Sequence, residues 1–548
     1  MLAVLFIGAV VFFLASYRYY GRFLARTLGI DDRRKTPSET QYDGVDYVPT
    51  HPAILLGHHF SSIAGAGPII GPITAAAWFG WAPAYLWCLV GSAFMGGPHD
   101  TGSLVASIRH QGHSIGTVVR KWIGERGQIL FQTFSILTLI LIVAVFLQLA
   151  ADTMAKSSLV AFSATVFMVA ALVFGLAVYR LGLSFVVSTV VLVPVVFGSC
   201  YLGYAYPAIT EPFTFSLDTW KLILIGYILA ASLLPVWLLL QPRDYLSSFF
   251  LYFAVGIGTV GMLAGSFMGV ETTLPAFMDP VSEAPDGSKR YLWPMLFVVV
   301  ACGAISGFHS MVGSGTSSKQ LRRESDALVI GYGSMLLEGM VAVIAIGTVM
   351  IAGDVLSRGP IATFSEGFGR FAGLMGMSPV LGAAMGALAI NVFILTTLDT
   401  ATRLTRYQIQ EFSGHRISKY SATLIAVGAA MLLLMSKSGD TPVWEIIWPV
   451  FGAANQLVAA LALLGVGVWA KKALKVDNTF LMVPMGFMLV TTVTALGFLI
   501  RQELVSDTPN WALFGVSLTL VILAVLMVYE SLRALGTGAA AAGEAPPR

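Results

Sequence analysis

Two apolar stretches of membrane-spanning length are each interrupted by glycine-rich polar residues. The first contains GHHFSSIAGAGPIIGP at residues 57–72, and the second contains GAISGFHSMVGSGTSSK at residues 303–319. Inside a bilayer every backbone N–H and C=O needs a partner, so unwound helix is tolerated only where it is buried in protein or lines a cavity. The paired interruptions therefore predict two broken helices beside a binding site near mid-membrane.

The composition is that of a membrane protein. Hydrophobic residues make up 56% of the 548-residue chain and charged residues only 11%, with a mean hydropathy of +0.80. Soluble globular domains carry about 25% charged residues. The chain is therefore predicted to be an all-α polytopic membrane protein whose partner is the lipid bilayer. Its net charge of +3 and the absence of a dense basic run argue against a nucleic-acid partner.

About fifteen apolar segments have the roughly 17–25 residues that cross about 30 Å of hydrocarbon. They lie near residues 2–17, 53–77, 82–107, 128–151, 158–179, 183–206, 219–240, 246–269, 292–316, 327–353, 376–400, 420–436, 444–469, 479–500 and 511–530. A shorter apolar stretch at 364–374 is predicted to be an interfacial or re-entrant helix.

The interrupted segments are the second and the ninth, so they cross the membrane in opposite directions. This arrangement predicts a leucine-transporter-like 5+5 inverted repeat whose first helices are discontinuous, with inserted and peripheral helices around it. The predicted units are residues 1–50 (peripheral helix and cytoplasmic loop), 51–206 (first repeat), 207–291 (two-helix insertion and outer loop), 292–470 (second repeat) and 471–548 (two peripheral helices and a disordered tail).

The distribution of basic residues predicts the orientation. An external N-terminus places most of the 32 lysines and arginines in cytoplasmic loops, as the positive-inside rule requires. The longest outer loop, residues 269–291, is then acidic, with Glu271, Asp279, Glu283 and Asp286. The C-terminus is predicted to be cytoplasmic and the protein to lie in a bacterial inner membrane.

Each break offers a particular chemistry. Free N–H groups at the start of a half-helix favour an anion such as a carboxylate, and free C=O groups favour a cation or a proton donor. The backbone expected to approach the ligand is that of Gly65, Ala66 and Gly67, followed by Pro68 in the next half-helix, and of Gly313, Ser314, Gly315 and Thr316. The alternative is tight helix packing, which glycine also serves in membranes.

Ionisable residues inside the membrane are expensive and are candidates for function. Those in this chain are His58, His59, His99, Asp100, His309, Glu338 and Asp399, with Glu445 near a membrane surface. The histidines at 58, 59 and 309 either bind a carboxylate or relay a proton, or else are neutral packed side chains. Asp100, Glu338 and Asp399 are predicted to couple an ion, although Asp399 is also spaced to pair with Arg403.

Other chemistries find little support. The adjacent histidines 58 and 59 point to different faces of a helix, HExxH is absent, and Cys88, Cys200 and Cys302 form no CxxC pair, so no metal is predicted. Neither a P-loop nor a GxSxG elbow occurs, which argues against ATP-driven pumping and serine hydrolysis. The chain is therefore predicted not to be an enzyme and to carry no cofactor.

Five blocks, in order, resemble the carbon starvation A family of inner-membrane transporters. They are DGVDYVPT, GHHFSSIAGAGPIIGP, GAISGFHSMVGSGTSSKQL, TTLDTATRLTRYQIQE and WPVFGAANQLVAALALL, and the similarity spans residues 18 to about 470. The resemblance implies a relationship to the amino acid/polyamine/cation superfamily. It also implies proton-coupled uptake of peptides or of pyruvate during carbon starvation.

The resemblance also marks residues by position. The marked positions are, in the first block, His58, His59, Gly65, Gly67 and Pro68; in the second, His309, Ser310, Ser314, Gly315 and Thr316; and in the third, Thr396, Thr397 and Asp399. The resemblance implies that Thr396 and Thr397 are sodium ligands unless a proton replaces the ion. His99 departs from the family pattern, so no role is assigned to it. The resulting hypothesis is a symporter with alternating access, driven by H⁺ or, as the alternative ion, by Na⁺; the alternative function is an ion channel or a membrane nutrient sensor.

Overall fold

The computed structural model describes residues 1–536 except 45, 236, 284–286, 288, 354–357, 415, 436–442 and 507–508, and it describes no side chains at 443–446 and 536. The α-helices are α1 Leu2–Thr27, α2 Pro37–Thr40, α3 Pro52–Ile63, α4 Gly67–Phe79, α5 Trp81–Gly91, α6 Gly97–Arg109, α7 Ile115–Trp122, α8 Glu125–Lys156, α9 Ser158–Tyr179, α10 Phe185–Ala205, α11 Leu217–Leu233, α12 Leu240–Phe267, α13 Leu292–Val299, α14 Gly307–Gly315, α15 Ser334–Ile351, α16 Pro360–Gly373, α17 Pro379–Phe412, α18 Lys419–Met435, α19 Val443–Trp469, α20 Thr479–Val505 and α21 Trp511–Gly536. Strands β1 Val281–Glu283 and β2 Lys289–Tyr291 form an antiparallel hairpin.

Among the described residues, ten helices are long and apolar enough to cross a membrane, and the bent pair α3–α4 adds an eleventh candidate. This is fewer than the fifteen predicted segments. The remaining four are helical but broken or short: α5 and α6 are joined by a π-helical turn, α11 and α18 have 17 residues each, and the ninth segment is split into α13 and α14. The protein is thus mostly helical, and the count of fifteen stays a prediction.

The first predicted break is observed between α3 and α4, whose axes differ by 47°. Helix α3 ends at Ile63 and α4 begins at Gly67, with Pro68 in its first turn, where proline's missing N–H costs no helical hydrogen bond. Gly65 lies in the gap, and a Cβ there would overlap the hydroxyl of Thr397 on α17. A side chain at this position would therefore push the break away from α17.

The second break lies earlier in the chain than the sequence pattern predicted. Helix α13 ends at Val299 and α14 begins at Gly307, so residues 300–306 form the unwound segment. The prediction of unwound backbone at Gly313, Ser314 and Gly315 is wrong, because these residues belong to α14, and Thr316 follows as its C-terminal cap.

Two kinds of hydrogen bond explain why the glycine-rich stretch is helical. The hydroxyls of Ser310 and Ser314 bond to carbonyl oxygens of their own helix, so they need no other partner. At the start of α14 the side chain of Asn455 on α19 accepts from Phe308 N at 3.0 Å and donates to Ser306 Oγ at 2.9 Å. Asn455 thus satisfies free backbone at the break from a neighbouring helix.

The two breaks pack directly against each other. A Cβ on Gly67 would lie 2.6 Å from Cys302 Sγ, and one on Gly71 would lie 2.5 Å from the carbonyl oxygen of Val299. Only glycine permits such approach without displacing the neighbouring segment. The ends of the four half-helices α3, α4, α13 and α14 consequently meet in the protein interior.

Long helices enclose this centre. Helices α8, α15, α17 and α19 are largely buried, whereas α1, α10, α20 and α21 expose much of their apolar surface. Helix α12 packs against α3, α15, α16 and α17. The short helix predicted at 364–374 is α16, and it packs against α4, α12, α15 and α17.

The chain between α1 and α3 folds back onto the residues that come after α14. Glu324 accepts two hydrogen bonds from Arg109, at the end of α6, and one from the backbone N–H of Asp31 at 2.8 Å. Thr50 pairs with Leu321 in an isolated parallel bridge. We call this arrangement, residues 29–50 on residues 320–326, the N-terminal clasp.

Two predicted features lie outside the described residues. They are Asp286, predicted for the outer loop, and residues 537–548, the predicted disordered tail.

Replacing Gly65 by alanine is expected to destabilise the protein by about 1–3 kcal/mol, because the added methyl group overpacks the contact with Thr397. Thermal unfolding in detergent measures the effect. Gly428→Ala in α18 is the matched control, since a Cβ there meets no atom within 4 Å. It should be neutral or slightly stabilising, because alanine has the higher helix propensity. Equal melting temperatures for both variants would contradict the close contact.

Asn455→Ala is expected to cost about 1–2 kcal/mol, because it removes the acceptor for Phe308 N and leaves a buried donor unpaired. Asn391→Ala is the control: Asn391 is also fully buried, but neither of its amide atoms has a hydrogen-bond partner among the described residues. The two melting temperatures are compared in detergent. A loss as large for Asn391→Ala would mean that lost volume, and not the cap, is being measured.

Candidate functional site

A cluster of four buried ionisable side chains lies beside the second break. His309, the third residue of α14, places its Nδ1 2.9 Å from Asp100 Oδ2 and its Nε2 3.2 Å from Glu338 Oε2. On the other side of Asp100, His99 Nδ1 lies 2.6 Å from Oδ1. We call His99, Asp100, His309 and Glu338 the histidine–carboxylate cluster; each is at most 4% exposed.

Local backbone features bring these four side chains together. Helix α14 begins at the break, so His309 lies in its first turn at the protein centre. Close packing brings α6 against the π-helical turn Leu328–Gly333, which leads directly into α15: a Cβ on Gly331 would lie 2.9 Å from Thr101 Cα. Asp100 on α6 and Glu338 on α15 therefore approach His309 from two helices.

The cluster contains one more carboxylate than His309 can neutralise. A buried unpaired charge is strongly unfavourable, so the two carboxylates must be neutralised by protons carried by His99, by His309 or by the carboxylates themselves. Glu338 lies within ion-pair distance of His309, yet neither of its oxygens has an aligned hydrogen-bond partner among the described residues. The arrangement can therefore hold an exchangeable proton.

The same region offers three possible metal ligands. Ligand atoms of Cys302, His309 and Glu338 all lie within 4.8 Å of one another. Structural zinc sites use four ligands, so this set is one short within the described part of the chain. The expectation of no metal stays a prediction.

A second buried cluster lies beside the first break. Arg243, in the first turn of α12, forms an ion pair with Asp399 on α17, and its Nη2 lies 2.8 Å from Asp244 Oδ1. The Tyr227 hydroxyl donates to Asp399 Oδ2 at 2.6 Å. His58 on α3 approaches Asp244, with 3.7 Å between Nδ1 and Oδ2. We call these five residues the arginine cluster.

This cluster corrects one sequence interpretation. The alternative partner proposed for Asp399 was Arg403, one helical turn away. Arg403 instead donates to the carbonyl oxygens of Ala231 and Leu234 at the end of α11. Asp399 is paired with Arg243, which is more than 150 residues away in the sequence.

Other predicted residues have their own partners. His59 Nδ1 lies 2.7 Å from Ser317 Oγ, which links α3 to the end of α14. The hydroxyls of Thr396 and Thr397 both donate to the carbonyl oxygen of Phe393. The carbonyl oxygen of Thr396 accepts from Arg243 Nη2 at 3.2 Å.

The structure thus places the predicted site residues in several parts of the interior. Asp100, His309 and Glu338 meet in one cluster, and His58 and Asp399 belong to another. Gly65 and Ala66 lie in the first break, with Gly67 and Pro68 in the first turn of α4. Ser310, Gly313, Ser314 and Gly315 belong to α14, and Thr316 caps its end. The side chain of Glu445 lies outside the described residues.

Sequence reasoning missed several residues of the arginine cluster and of the second break. The predicted segments 219–240 and 246–269 leave Arg243 and Asp244 in the short connection between them. These two charges nevertheless come only three and four residues after a long apolar stretch, in the run QPRDY. An Arg–Asp pair at this position is a usable signal for a buried ion pair. Tyr227, Cys302 and Asn455 offered no local signal, because their partners are distant in sequence.

A small apolar cavity, with room for about one water molecule, lies beside α4. Its lining residues are Ile69, Leu251, Ala254, Val255, Val341, Ile344, Phe364 and Phe393. None of these side chains carries a polar group that would bind a carboxylate. The cavity is therefore not a carboxylate site in this conformation.

Comparison with known proteins identifies relatives over most of the chain. The family described as carbon starvation protein CstA matches residues 1–357 and 350–495. The peptide transporter CstA of Campylobacter jejuni is 31% identical, covering 89% of this chain and 79% of the relative. The pyruvate/proton symporter BtsT of Escherichia coli is 32% identical, covering 92% of this chain and 82% of the relative.

A solved structure of a nucleobase-cation-symport-1 family transporter aligns with a TM-score of 0.46 and 10% identity, covering 89% of this chain and 95% of the other. The curated relatives are transporters and not enzymes. With its many apolar helices, the protein is a multi-pass bacterial membrane protein. The family suggested by the five sequence blocks is confirmed: the chain belongs to the carbon starvation protein CstA family.

Proposed function

We propose that this protein is a secondary active transporter that imports a short peptide or a small carboxylate such as pyruvate, together with protons, across the bacterial inner membrane. The observation that carries the proposal is the buried His309 between Asp100 and Glu338 at the start of a broken helix. The names of the relatives, a peptide transporter and a pyruvate/proton symporter, support the same class of activity.

The coupling proton is proposed to reside on the His309–Glu338 pair. If His309 neutralises Asp100, Glu338 needs a proton of its own; if His99 neutralises Asp100, the proton on His309 serves Glu338. In both cases the His309–Glu338 pair holds an exchangeable proton. A histidine changes its charge near physiological pH, so this pair can exchange a proton when water reaches it. Because His309 belongs to α14, movement of that half-helix would change the distance between the imidazole and Glu338.

The substrate is proposed to bind between the two breaks. The first turns of α4 and α14 point the positive ends of their helix dipoles toward the protein centre, which favours a carboxylate. Gly67 and Cys302 now close this space. Binding would therefore require the half-helices to separate, and the bound carboxylate would take over contacts that the breaks make with each other.

Alternating access provides the transport cycle in this proposal. The 5+5 inverted repeat, the external N-terminus and the cytoplasmic C-terminus are part of the proposal, and they put the N-terminal clasp on the cytoplasmic side. The clasp ties Glu324, beyond α14, to Arg109 and to the backbone of Asp31. The His59–Ser317 hydrogen bond joins α3 to the same region. Both contacts would have to open before substrate could leave inward.

Uptake into proteoliposomes tests the proposal. Labelled pyruvate and a labelled dipeptide are offered separately under an imposed pH gradient and under an imposed sodium gradient. We expect accumulation of one of them above its external concentration under the pH gradient alone. Failure of a pH gradient to drive accumulation of either compound would contradict proton-coupled transport.

The Glu338→Gln variant is expected to lose accumulation driven by the pH gradient, because glutamine keeps the shape of Glu338 but cannot exchange a proton. Counterflow, in which labelled substrate exchanges for unlabelled substrate without a gradient, should persist. Glu366→Gln on α16 is the control, since Glu366 is a partly exposed carboxylate paired with Arg370. Undiminished pH-driven accumulation by Glu338→Gln would exclude Glu338 as the coupling group.

A further inference from the structure

Arg243 contacts the backbone carbonyl of Thr396, one of the two threonines that the family resemblance implied as sodium ligands. We propose that its guanidinium is a built-in cation, which fills an alkali-cation site between α12 and α17, and that removing it converts this place into a Na⁺ site. The inference deepens the proposed function, since it concerns which ions drive transport. Na⁺ binding is measured through the melting temperature, and this measurement does not depend on transport.

The atoms around the guanidinium are oxygens suited to a hard cation. Nη1 pairs with Asp399 Oδ2, and Nη2 contacts both Asp244 Oδ1 at 2.8 Å and the carbonyl oxygen of Thr396 at 3.2 Å. Two of these three oxygens carry negative charge. The second oxygen of Asp399 is buried and has no hydrogen-bond partner among the described residues, so a cation entering the cluster would find a free ligand atom.

Removing the guanidinium would upset the charge balance of the cluster. Arg243, Asp244 and Asp399 are each at most 2% exposed. The other charged groups nearby are Arg403 and Arg406 on α17, which donate to carbonyl oxygens of α11, and His58, which lies 3.7 Å from Asp244. Without Arg243 two buried carboxylates would remain in one site. Leaving them unpaired is strongly unfavourable, so the site would take up a small cation.

The position of the cluster explains why the identity of this cation matters for transport. Arg243 bonds to α17 within one turn of Thr397, whose hydroxyl lies against Gly65 in the first break. His58 connects the same cluster to α3. A mobile Na⁺ here would contact the moving half-helix and couple to its motion. Arginine is permanently charged and covalently attached to α12, so it supplies the charge without an ion gradient.

Thermal unfolding in detergent tests the proposal, with NaCl varied against choline chloride at constant ionic strength. The wild-type melting temperature should show no Na⁺-specific change. Arg243→Ala should show a melting temperature that rises with NaCl concentration, by about 2 °C or more at saturation, because a ligand that binds only the folded state stabilises it. Arg403→Ala, which removes a buried arginine that donates to carbonyl oxygens, should show no Na⁺-specific rise.

Further variants separate binding from general destabilisation. Arg243→Lys keeps the charge and should remain insensitive to Na⁺, whereas Arg243→Gln lacks the charge and should gain sensitivity. Combining Arg243→Ala with Asp399→Asn should abolish the Na⁺ response, because it removes one of the two carboxylates. All variants are purified in NaCl, which is expected to supply the missing charge.

Several outcomes would overturn the proposal. One is a Na⁺-specific rise in the melting temperature of the wild-type protein. Another is the absence of such a rise in folded Arg243→Ala and Arg243→Gln. Failure of both variants to fold in NaCl would also contradict it, because the ion should then compensate. In proteoliposomes a sodium gradient should stimulate uptake only in the neutral variants. Absence of uptake by wild type would contradict the proposed function and leave the melting-temperature test intact.

Discussion

The contact between the two helix breaks brings four half-helix ends together, and both charge clusters lie beside these ends. Gly67 lies against Cys302, and Gly71 lies against the carbonyl oxygen of Val299, so four half-helix ends converge where a bilayer would offer their backbone no partner. The convergence is stable because neighbouring side chains supply the hydrogen-bond partners that the bilayer lacks, as Asn455 does for the backbone of α14. It also makes the half-helices α3 and α14 the elements through which a bound ligand would act on the rest of the protein.

The half-helices α3 and α14 each contribute a histidine to a charge cluster. His309 on α14 lies between Asp100 and Glu338, and His58 on α3 lies near Asp244 in the arginine cluster. Both clusters hold an excess of carboxylate over permanent positive charge. A change in the position of either half-helix therefore changes the energy of buried charges directly. Binding of a substrate carboxylate between the breaks would favour some protonation states over others, which is the physical meaning of coupling.

Local sequence patterns predicted the features that depend on local chemistry. The first break was found because Gly65, Gly67 and Pro68 are adjacent, and the apolar segments agree with helices because each pattern lies within its own helix. The second break was misplaced because the polar residues after Gly303 looked unable to form a buried helix. The serine hydroxyls instead donate to carbonyl oxygens within α14. The capping side chain at the start of α14 comes from Asn455, which is distant in the sequence. The pairing of Arg243 with Asp399 was missed because Asp399 lies on another helix, although the adjacent Arg243 and Asp244 were a local signal of buried charge. Partners distant in sequence leave no periodic signal.

The two clusters differ in the kind of cation that they contain, and this difference assigns them different tasks in the proposed cycle. Imidazole gains and loses a proton near neutral pH, whereas guanidinium keeps its charge. The positive charge on His309 can therefore appear and disappear during a cycle, whereas the positive charge on Arg243 stays fixed. If the arginine site held a mobile ion as well, the protein would couple to two gradients. A fixed cation at the first break leaves the histidine–carboxylate cluster at the second break as the place where the driving ion binds and leaves.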